Sequence, residues 1–230
     1  MFLSQLSYYL RVSALAMLFG LNAWTETTQL PKAANVTDCQ PCKLQPSARL
    51  PPYLFRFEIK SDPTAGRIIT AINVTREGDT KPFQHLPVAG AMPVFEGESF
   101  FFGGQDINFD GNADLMLIIE RGVANSTALY WIFDEHSGLY SALGSFPVLR
   151  PEPSTHKLSA FRRNGEGGLL YEKLEYSFEG SRLLLVRSET QQSTGTRGVY
   201  RRVLKERVNG QLKMIRSQML QGKAAMPDDK

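Results

Sequence analysis

The fold of this chain is organised around one segment, Asp106-Ile-Asn108-Phe-Asp110-Gly111-Asn112-Ala-Asp114. An oxygen-bearing side chain recurs at every second residue, and the glycine stands where the backbone must turn sharply. The apolar run Leu115-Met-Leu-Ile-Ile119 follows without a break. Because this run has the composition of a buried strand, we expect the polar loop to be fixed directly to a core element.

The loop has the donor pattern of a calcium site. Numbered from Asp106, it matches the first half of an EF-hand loop, with a glycine at position 6. Position 12 is Leu117 instead of a bidentate glutamate, and a strand takes the place of the second helix. We predict a structural Ca²⁺ site of modest affinity; an Asx-rich turn without metal is the alternative. The predicted ligands are Asp106, Asn108, Asp110, the carbonyl of Asn112 and Asp114.

Alternating apolar and polar residues indicate strands in the rest of the chain. Residues 53–60 alternate with a period of two, and turn signals such as Asn209-Gly210 separate the later apolar runs. No long segment has an apolar period of 3.6 residues. We predict an all-β fold, a single antiparallel β domain of about ten strands over residues 53–222. Its architecture is propeller-like or sandwich-like and includes the EF-hand-like calcium loop.

The first 23 residues have the features of a secretory signal peptide. Arg11 precedes an apolar block, Val12 to Leu21, and the small Ala23 marks the exit. The uncharged stretch is shorter than the roughly 20 residues of a membrane span. We therefore predict cleavage rather than an uncleaved anchor, a periplasmic location, and no stable membrane insertion of the mature chain. Residues 24–52 are predicted as a flexible linker and residues 223–230 as a disordered tail.

Both cysteines lie in the predicted linker, as Cys39-Gln-Pro-Cys42. This spacing is compatible with a local disulfide, a redox site or half of a zinc site. No βαβ pattern flanks it, and no second cysteine pair completes a zinc site. In an oxidising compartment we expect a Cys39–Cys42 disulfide, which closes a short loop and adds little stability.

The net charge of +3 hides an uneven distribution. Residues 94–140 hold eight acidic residues and one cation, Arg121, whereas residues 150–223 hold fifteen lysines and arginines against seven acids. The acidic segment suits a cation and a basic partner. The basic residues alternate along predicted strands, which indicates a solvated sheet face, and we expect no nucleic-acid partner.

A second loop of interest is Ser137-Gly138-Leu139-Tyr140, which follows a predicted strand at 127–133. Gly138 can adopt a positive φ and present its neighbours from a tight turn. Ser137 and Tyr140 carry hydroxyl groups that both donate and accept hydrogen bonds. Composition alone leaves two interpretations open: a contact loop, or an ordinary hairpin turn after which Tyr140 begins the next strand.

Taken together, these motifs resemble a known family. The run from Gln105 to Leu115, followed by Tyr130-Trp-Ile-Phe-Asp134 and Ser137-Gly-Leu-Tyr140, is similar to periplasmic calcium-binding lysozyme-inhibitor-like immunity proteins. These proteins are associated with type IV secretion systems that kill rival bacteria. More distantly, the chain resembles inhibitors of invertebrate-type lysozyme. The resemblance implies a Ca²⁺-bound β-fold and a Ser-Gly-x-Tyr loop, here Ser137, Gly138 and Tyr140, that plugs a lysozyme's catalytic cleft.

We therefore expect an inhibitor or immunity protein that binds a lysozyme-like peptidoglycan hydrolase, either an effector of interbacterial competition or a host lysozyme. The alternative is a calcium-stabilised extracellular adhesion or ligand-recognition module. We do not expect an enzyme, because the histidines lie in separate predicted loops and no hydrolase or phosphate-binding motif is present. Those histidines are His85, His136 and His156.

Overall fold

The computed structural model describes residues 41–64, 66–88, 93–94, 102–122 and 125–222. The predicted signal peptide, the first part of the predicted linker and the predicted tail lie outside these residues. The described residues form strands joined by turns, with one short 3₁₀ turn at Glu166–Gly168. The prediction of an all-β fold is confirmed.

The strands form three antiparallel sheets that follow one another along the chain. The N-terminal sheet consists of β1 (Cys42–Leu44), β2 (Tyr53–Asp62), β3 (Gly66–Arg76), β4 (Gln84–Pro87) and β5 (Pro93–Val94). The central sheet consists of β6 (Phe102–Gln105), β7 (Asp114–Arg121), β8 (Ser126–Asp134) and β9 (Leu139–Pro147). The C-terminal sheet consists of β10 (Arg150–Glu152), β11 (Lys157–Gly165), β12 (Leu170–Glu179), β13 (Arg182–Ser193), β14 (Val199–Val208) and β15 (Gln211–Gln221). Within each sheet, consecutive strands pair, except that β5 pairs with β3 instead of β4.

The central sheet is buried on both faces, which explains the unbroken apolar run that follows the polar loop. Leu115 and Leu117 belong to a core shared with the N-terminal sheet, whereas Ile118 belongs to a second core shared with the C-terminal sheet. Successive side chains of a strand point to opposite faces, so a strand covered on both sides is apolar at every position. This double coverage places the polar loop at the junction of all three sheets.

Each core is built on aromatic side chains. In the core with the N-terminal sheet, Phe102 packs on Phe55 and on Phe57, with ring centroids 5.2 and 5.1 Å apart. In the other core, the hydroxyl of Tyr130 accepts a hydrogen bond from the backbone N–H of Leu149 at 2.8 Å. Tyr130 and Leu149 are each 1% exposed, so this bond satisfies two buried polar groups at once.

The structure differs from the predicted linker at the end of that segment. Cys42–Leu44 pairs with β2, and Leu44 packs over Gly104 of the central sheet. A Cβ at position 104 would lie 2.5 Å from Leu44 Cδ1, so a larger residue there would displace the Leu44 side chain. We refer to residues 41–50 as the strap, because they join the N-terminal sheet to the central sheet. Cys42 is buried and disulfide-bonded, and Cys39 lies outside the described residues.

The central sheet ends at a proline. β9 continues through Gly144 to Pro147, and a separate short strand at Arg150–Glu152 pairs with β11. The break lets the chain pass from the central sheet to the C-terminal sheet. Residues 95–101 lie outside the described residues, and β6 begins at Phe102.

We expect Tyr130→Phe to lower the free energy of unfolding by about 1–3 kcal/mol, because it leaves the buried N–H of Leu149 without an acceptor. Urea denaturation followed by circular dichroism measures this loss. Tyr176→Phe is the matched control, since Tyr176 is also buried in the same core but its hydroxyl forms no hydrogen bond with any described residue. Equal losses in both variants would contradict the role assigned to the Tyr130 hydroxyl.

Candidate functional site

One buried carboxylate joins the polar loop to the hairpin formed by β8 and β9. Asp114 is 1% exposed and accepts hydrogen bonds from the backbone N–H groups of Ile107, Asn108 and Phe133, at 2.9, 3.4 and 2.8 Å. Burial raises the pKa of Asp114 to about 7, and the N–H donors oppose that shift by favouring the charged form. Asp114 therefore acts as an internal brace between the loop and β8.

The other polar side chains of the loop stay near the surface and organise its backbone. The two carboxylate oxygens of Asp106 accept from the N–H groups of Asp110 and Gly111, at 3.1 and 3.0 Å. Asp110 accepts from the N–H of Asn112 at 2.8 Å and from Nδ2 of Asn108 at 2.8 Å. Gly111 has a φ of +86°, a conformation that residues with a side chain rarely adopt. This network is an Asx-rich turn in which side chains replace strand partners.

The five predicted calcium ligands are only partly gathered. Asp114 turns into the core, which leaves Asp106 and Asp110 as the carboxylates on the open side of the loop, beside Asn108 and Asn112. Among the described residues, no group of three or more His, Cys, Asp or Glu side chains is arranged to hold a metal ion. The remaining oxygen donors are of the hard type that Ca²⁺ accepts, but with fewer charges than predicted. Calcium binding therefore stays a proposal.

The hairpin after β8 presents a small exposed tip. Gly138 has a φ of +70° and donates its N–H to the carbonyl of Asp134 at 2.8 Å, which closes the turn. Hydrogen bonds from Ser137 and from the N–H of His136 lower the pKa of the Asp134 carboxyl. Ser137 is exposed, and Leu139 is 39% exposed although it is a large apolar residue. The tip thus offers one hydroxyl and one apolar side chain to solvent.

Tyr140 does not share this exposure, and this corrects the prediction that its hydroxyl is presented to a partner. Its side chain is 3% exposed and packs against Phe133 and Phe55, with ring centroids 4.9 and 5.9 Å apart. Its hydroxyl donates to the carbonyl of Ala113 at 3.3 Å. Burial, with a smaller contribution from Asp114, raises the pKa of the Tyr140 phenol. Tyr140 is a core residue that joins β9 to the polar loop.

Two side chains of the N-terminal sheet clamp the hairpin, and neither belongs to a recognisable motif. Gln84 donates from Nε2 to the Tyr140 carbonyl at 2.6 Å and accepts from the Tyr140 N–H at 3.0 Å. This pair of bonds imitates a strand pairing. Tyr53 donates its hydroxyl to the carbonyl of Gly138 at 3.2 Å. Side chains of the N-terminal sheet therefore hold the backbone on both sides of Leu139.

The strap contacts the start of the hairpin turn and the end of the polar loop. Ser47 donates its hydroxyl to Oε1 of Glu135 at 2.6 Å, and the carbonyl of Pro46 accepts from the N–H of Ala113 at 2.7 Å. Arg49 lies 3.5 Å from the other oxygen of Glu135, but its side chain is mostly exposed and the ion pair contributes little. The polar loop and the hairpin are thus fixed by side chains far away in sequence.

A cleft of about 1170 Å³ opens beside the hairpin. Ile132, Leu143 and Phe178 supply apolar surface, and Asp110 and Asp134 supply carboxylates. The cleft can accommodate a polar or cationic group of a partner next to the tip.

The histidines do not form a catalytic group. His136 lies at the tip, His85 bonds to the side chain of Asn73, and His156 stacks on Phe109 with ring centroids 5.1 Å apart.

No helix among the described residues is long and apolar enough to cross a membrane.

Comparison with known proteins identifies a shared fold. The chain is similar to a solved structure described as a Xanthomonas type IV secretion system related protein, with a TM-score of 0.53 and 13% sequence identity. The similarity covers 82% of this chain and all of that one. At this identity the similarity concerns the fold. No protein-family profile and no curated protein matches the sequence.

The burial of Tyr140 predicts how stability depends on pH. A phenol whose pKa is raised by folding is ionised more easily in the unfolded chain, so its stabilising contribution is complete below about pH 10 and is lost as the pH rises further. We expect the unfolding free energy of the wild type to fall more steeply above that pH than that of Tyr140→Phe. Urea denaturation at a series of pH values measures both. Parallel curves, with normal titration of Tyr140 in the folded chain, would show that Tyr140 is solvent-exposed.

Proposed function

We propose that this chain is an inhibitor or immunity protein that binds a lysozyme-like peptidoglycan hydrolase and blocks its active-site cleft with the hairpin tip. The proposal rests on the way the protein holds the backbone next to the exposed tip. Hydrogen bonds from Tyr53, Gln84 and Ser47 hold its two flanks, while Ser137 and Leu139 remain exposed. A tip that is already rigid loses little conformational entropy when it docks, and this favours affinity.

The roles within the tip differ from those suggested by the motif. Tyr140 is a positioning residue, because its hydroxyl and both of its backbone polar groups are engaged inside the protein. Within the Ser137–Tyr140 motif, Ser137 and Leu139 are the exposed residues that a partner can touch. The proposed contact surface therefore consists of one apolar side chain and one hydroxyl group, carried on a tight turn.

This surface suits the chemistry of a lysozyme cleft. Such hydrolases place two carboxyl groups across a groove that binds a sugar chain, and one of them is kept protonated. The Ser137 hydroxyl can donate to the ionised carboxylate or accept from the protonated one. Leu139 can fill the apolar part of a sugar subsite. Asp134 and Glu135, beside the tip, favour approach by a basic protein.

The proposed setting is the bacterial periplasm. The described fold is shared with a protein related to a type IV secretion system. The N-terminal segment has the pattern of an export signal, as described above. An inhibitor in that compartment meets hydrolases delivered by rival bacteria or by a host, and both act on peptidoglycan. The chain itself is proposed to have no enzymatic activity.

We expect the purified chain to inhibit peptidoglycan hydrolysis by at least one member of a panel of chicken-type, goose-type and invertebrate-type lysozymes and the lysozyme-like hydrolase encoded nearest to it. Leu139→Asp should weaken inhibition about thirty-fold or more, as expected for a residue at the centre of an interface. Ser137→Ala should weaken it up to about ten-fold through loss of a hydrogen bond. Inhibition constants from turbidity assays measure both.

Tyr140→Phe is the matched control, because it removes one internal hydrogen bond but keeps the ring in the core. It should change inhibition little while lowering stability modestly. Wild-type inhibition by Leu139→Asp together with loss of inhibition by Tyr140→Phe would refute the assignment of roles. If no hydrolase is inhibited but a glycan or surface protein binds, the ligand-recognition alternative replaces the inhibitor proposal.

We also propose that the open side of the polar loop binds Ca²⁺ weakly. Side-chain oxygens of Asp106, Asn108 and Asp110 and the carbonyl of Asn112 would hold the ion, and water would complete its shell. Calcium would supply positive charge that reduces repulsion between Asp106 and Asp110. Asp114 takes no direct part, because it is buried and its carboxylate is turned away from the open side of the loop.

At about ten times its dissociation constant, which we expect in the range of about 10⁻⁴–10⁻³ M, calcium should stabilise the fold by about 1.4 kcal/mol. Differential scanning calorimetry with CaCl₂ and with EGTA measures this as a shift in Tm. Asp110→Asn should reduce the shift while leaving the calcium-free Tm nearly unchanged. Asp114→Asn should lower the Tm in both conditions. An identical Tm with CaCl₂ and EGTA would show that the loop is an Asx turn without metal.

A further inference from the structure

The last two strands of the chain, β14 and β15, carry an unusual concentration of exposed apolar side chains. We refer to them, Val199–Gln221, as the terminal hairpin. Of the six large apolar residues that are exposed in the described part of the chain, four lie here: Val208 at 41%, Met214 at 57%, Ile215 at 49% and Met219 at 61%. Single exposed apolar residues are normal, but a cluster of them marks an interaction surface.

The terminal hairpin also lies outside both hydrophobic cores. Neither core includes a residue of β14 or β15, and the principal contacts of these strands are with neighbouring strands of the same sheet. β15 is the edge strand of the six-stranded C-terminal sheet. One face of β14 is packed, since Tyr200 and Leu204 are buried, whereas Arg201 and Lys205 on the other face are exposed.

Cations are interleaved with the apolar residues. The terminal hairpin contains six lysines and arginines and one acidic residue, Glu206. Met214 is the cross-strand partner of Lys205, and Met219 is the partner of Arg201, so each methionine shares a face with a cation. Lys205, Lys213 and Arg216 form no ion pair with any residue that the structure describes.

This pattern argues against a protein partner added at the sheet edge. The register between β14 and β15 shifts at Leu204/Lys205, which makes Ile215 an extra, bulged residue, and bulges and edge cations both oppose strand addition. A second copy of the chain would bring together two surfaces of the same charge. The core of a protein interface is also depleted in lysine, whereas here each methionine lies beside a cation.

The same pattern fits an anionic bilayer surface. Long cationic side chains can reach phosphate groups while their apolar stems and neighbours enter the headgroup boundary. Methionine is flexible and adapts to an irregular surface. We infer that the terminal hairpin binds peripherally to anionic phospholipid membranes, with Met214 and Met219 entering the interface and the cations on the same face, Arg201 and Lys205, pairing with phosphates. This inference is independent of the proposed hydrolase inhibition.

The test is sedimentation of the exported, processed chain with vesicles of phosphatidylglycerol and phosphatidylcholine, or of phosphatidylcholine alone. The wild type should bind the anionic vesicles, and binding should weaken as salt is added. Arg201→Gln and Lys205→Gln should each reduce the partition coefficient about five-fold. Met214→Ser with Met219→Ser should remove the binding that remains at high salt.

The matched control is Lys60→Gln with Lys81→Gln, which removes two exposed cations from the N-terminal sheet side of the protein. This variant should bind like the wild type, and all variants share one N-terminus, so differences between them report the terminal hairpin. Equal binding to neutral and anionic vesicles would overturn the inference. So would an equal loss in the control variant, or no sedimentation at low salt. Capture of the hairpin by an acidic protein in place of vesicles would also overturn it.

Discussion

The arrangement of this protein depends on the Asp114 carboxylate. Backbone N–H groups from two separate segments converge on it inside the fold, where water is excluded. A side chain with fewer acceptor sites would leave buried donors unsatisfied, and such donors are more costly than a lost surface contact. Buried hydrogen bonds consequently join the polar loop directly to the β8–β9 hairpin. The same constraint explains why a carboxylate stands directly before an apolar strand: it is the last residue of the loop and the first of the core.

Local patterns in the sequence account for most of the strands. Residues 53–60 and the runs around Asn209-Gly210 were predictable because alternation and turn chemistry act over a few residues. The division into three sheets was not, since it depends on which faces meet. The apolar run that begins at Leu115 is compatible with any strand buried on both sides. Only the structure shows that its two faces serve two different cores.

The Ser-Gly-x-Tyr motif did not predict that Tyr140 is buried, whereas the pairing of the two hairpin strands does. A Ser-Gly-x-Tyr motif says nothing about the direction of the last side chain. The hairpin register does: Tyr140 is paired with Phe133, and paired residues share a face. Trp131 and Phe133 lie on the face of β8 that meets the N-terminal sheet. A turn of this length pairs Tyr140 with Phe133 and therefore places it on the same face. No local sequence pattern predicts the hydrogen bonds of Gln84 to the hairpin, because Gln84 and Tyr140 are 56 residues apart in the chain.

The strap has a consequence for the order in which the protein is completed. Ser47 and Glu135 are 88 positions apart, so the chain that emerges first on a ribosome or a translocon waits for the central sheet before it can dock. Contacts of such long sequence separation form slowly, because loop closure is entropically unfavourable. We therefore expect the Ser47–Glu135 hydrogen bond to form after the local hairpins. A chain truncated before Glu135 would lack the acceptor of the Ser47 hydroxyl, so the strap could not make this contact with the hairpin.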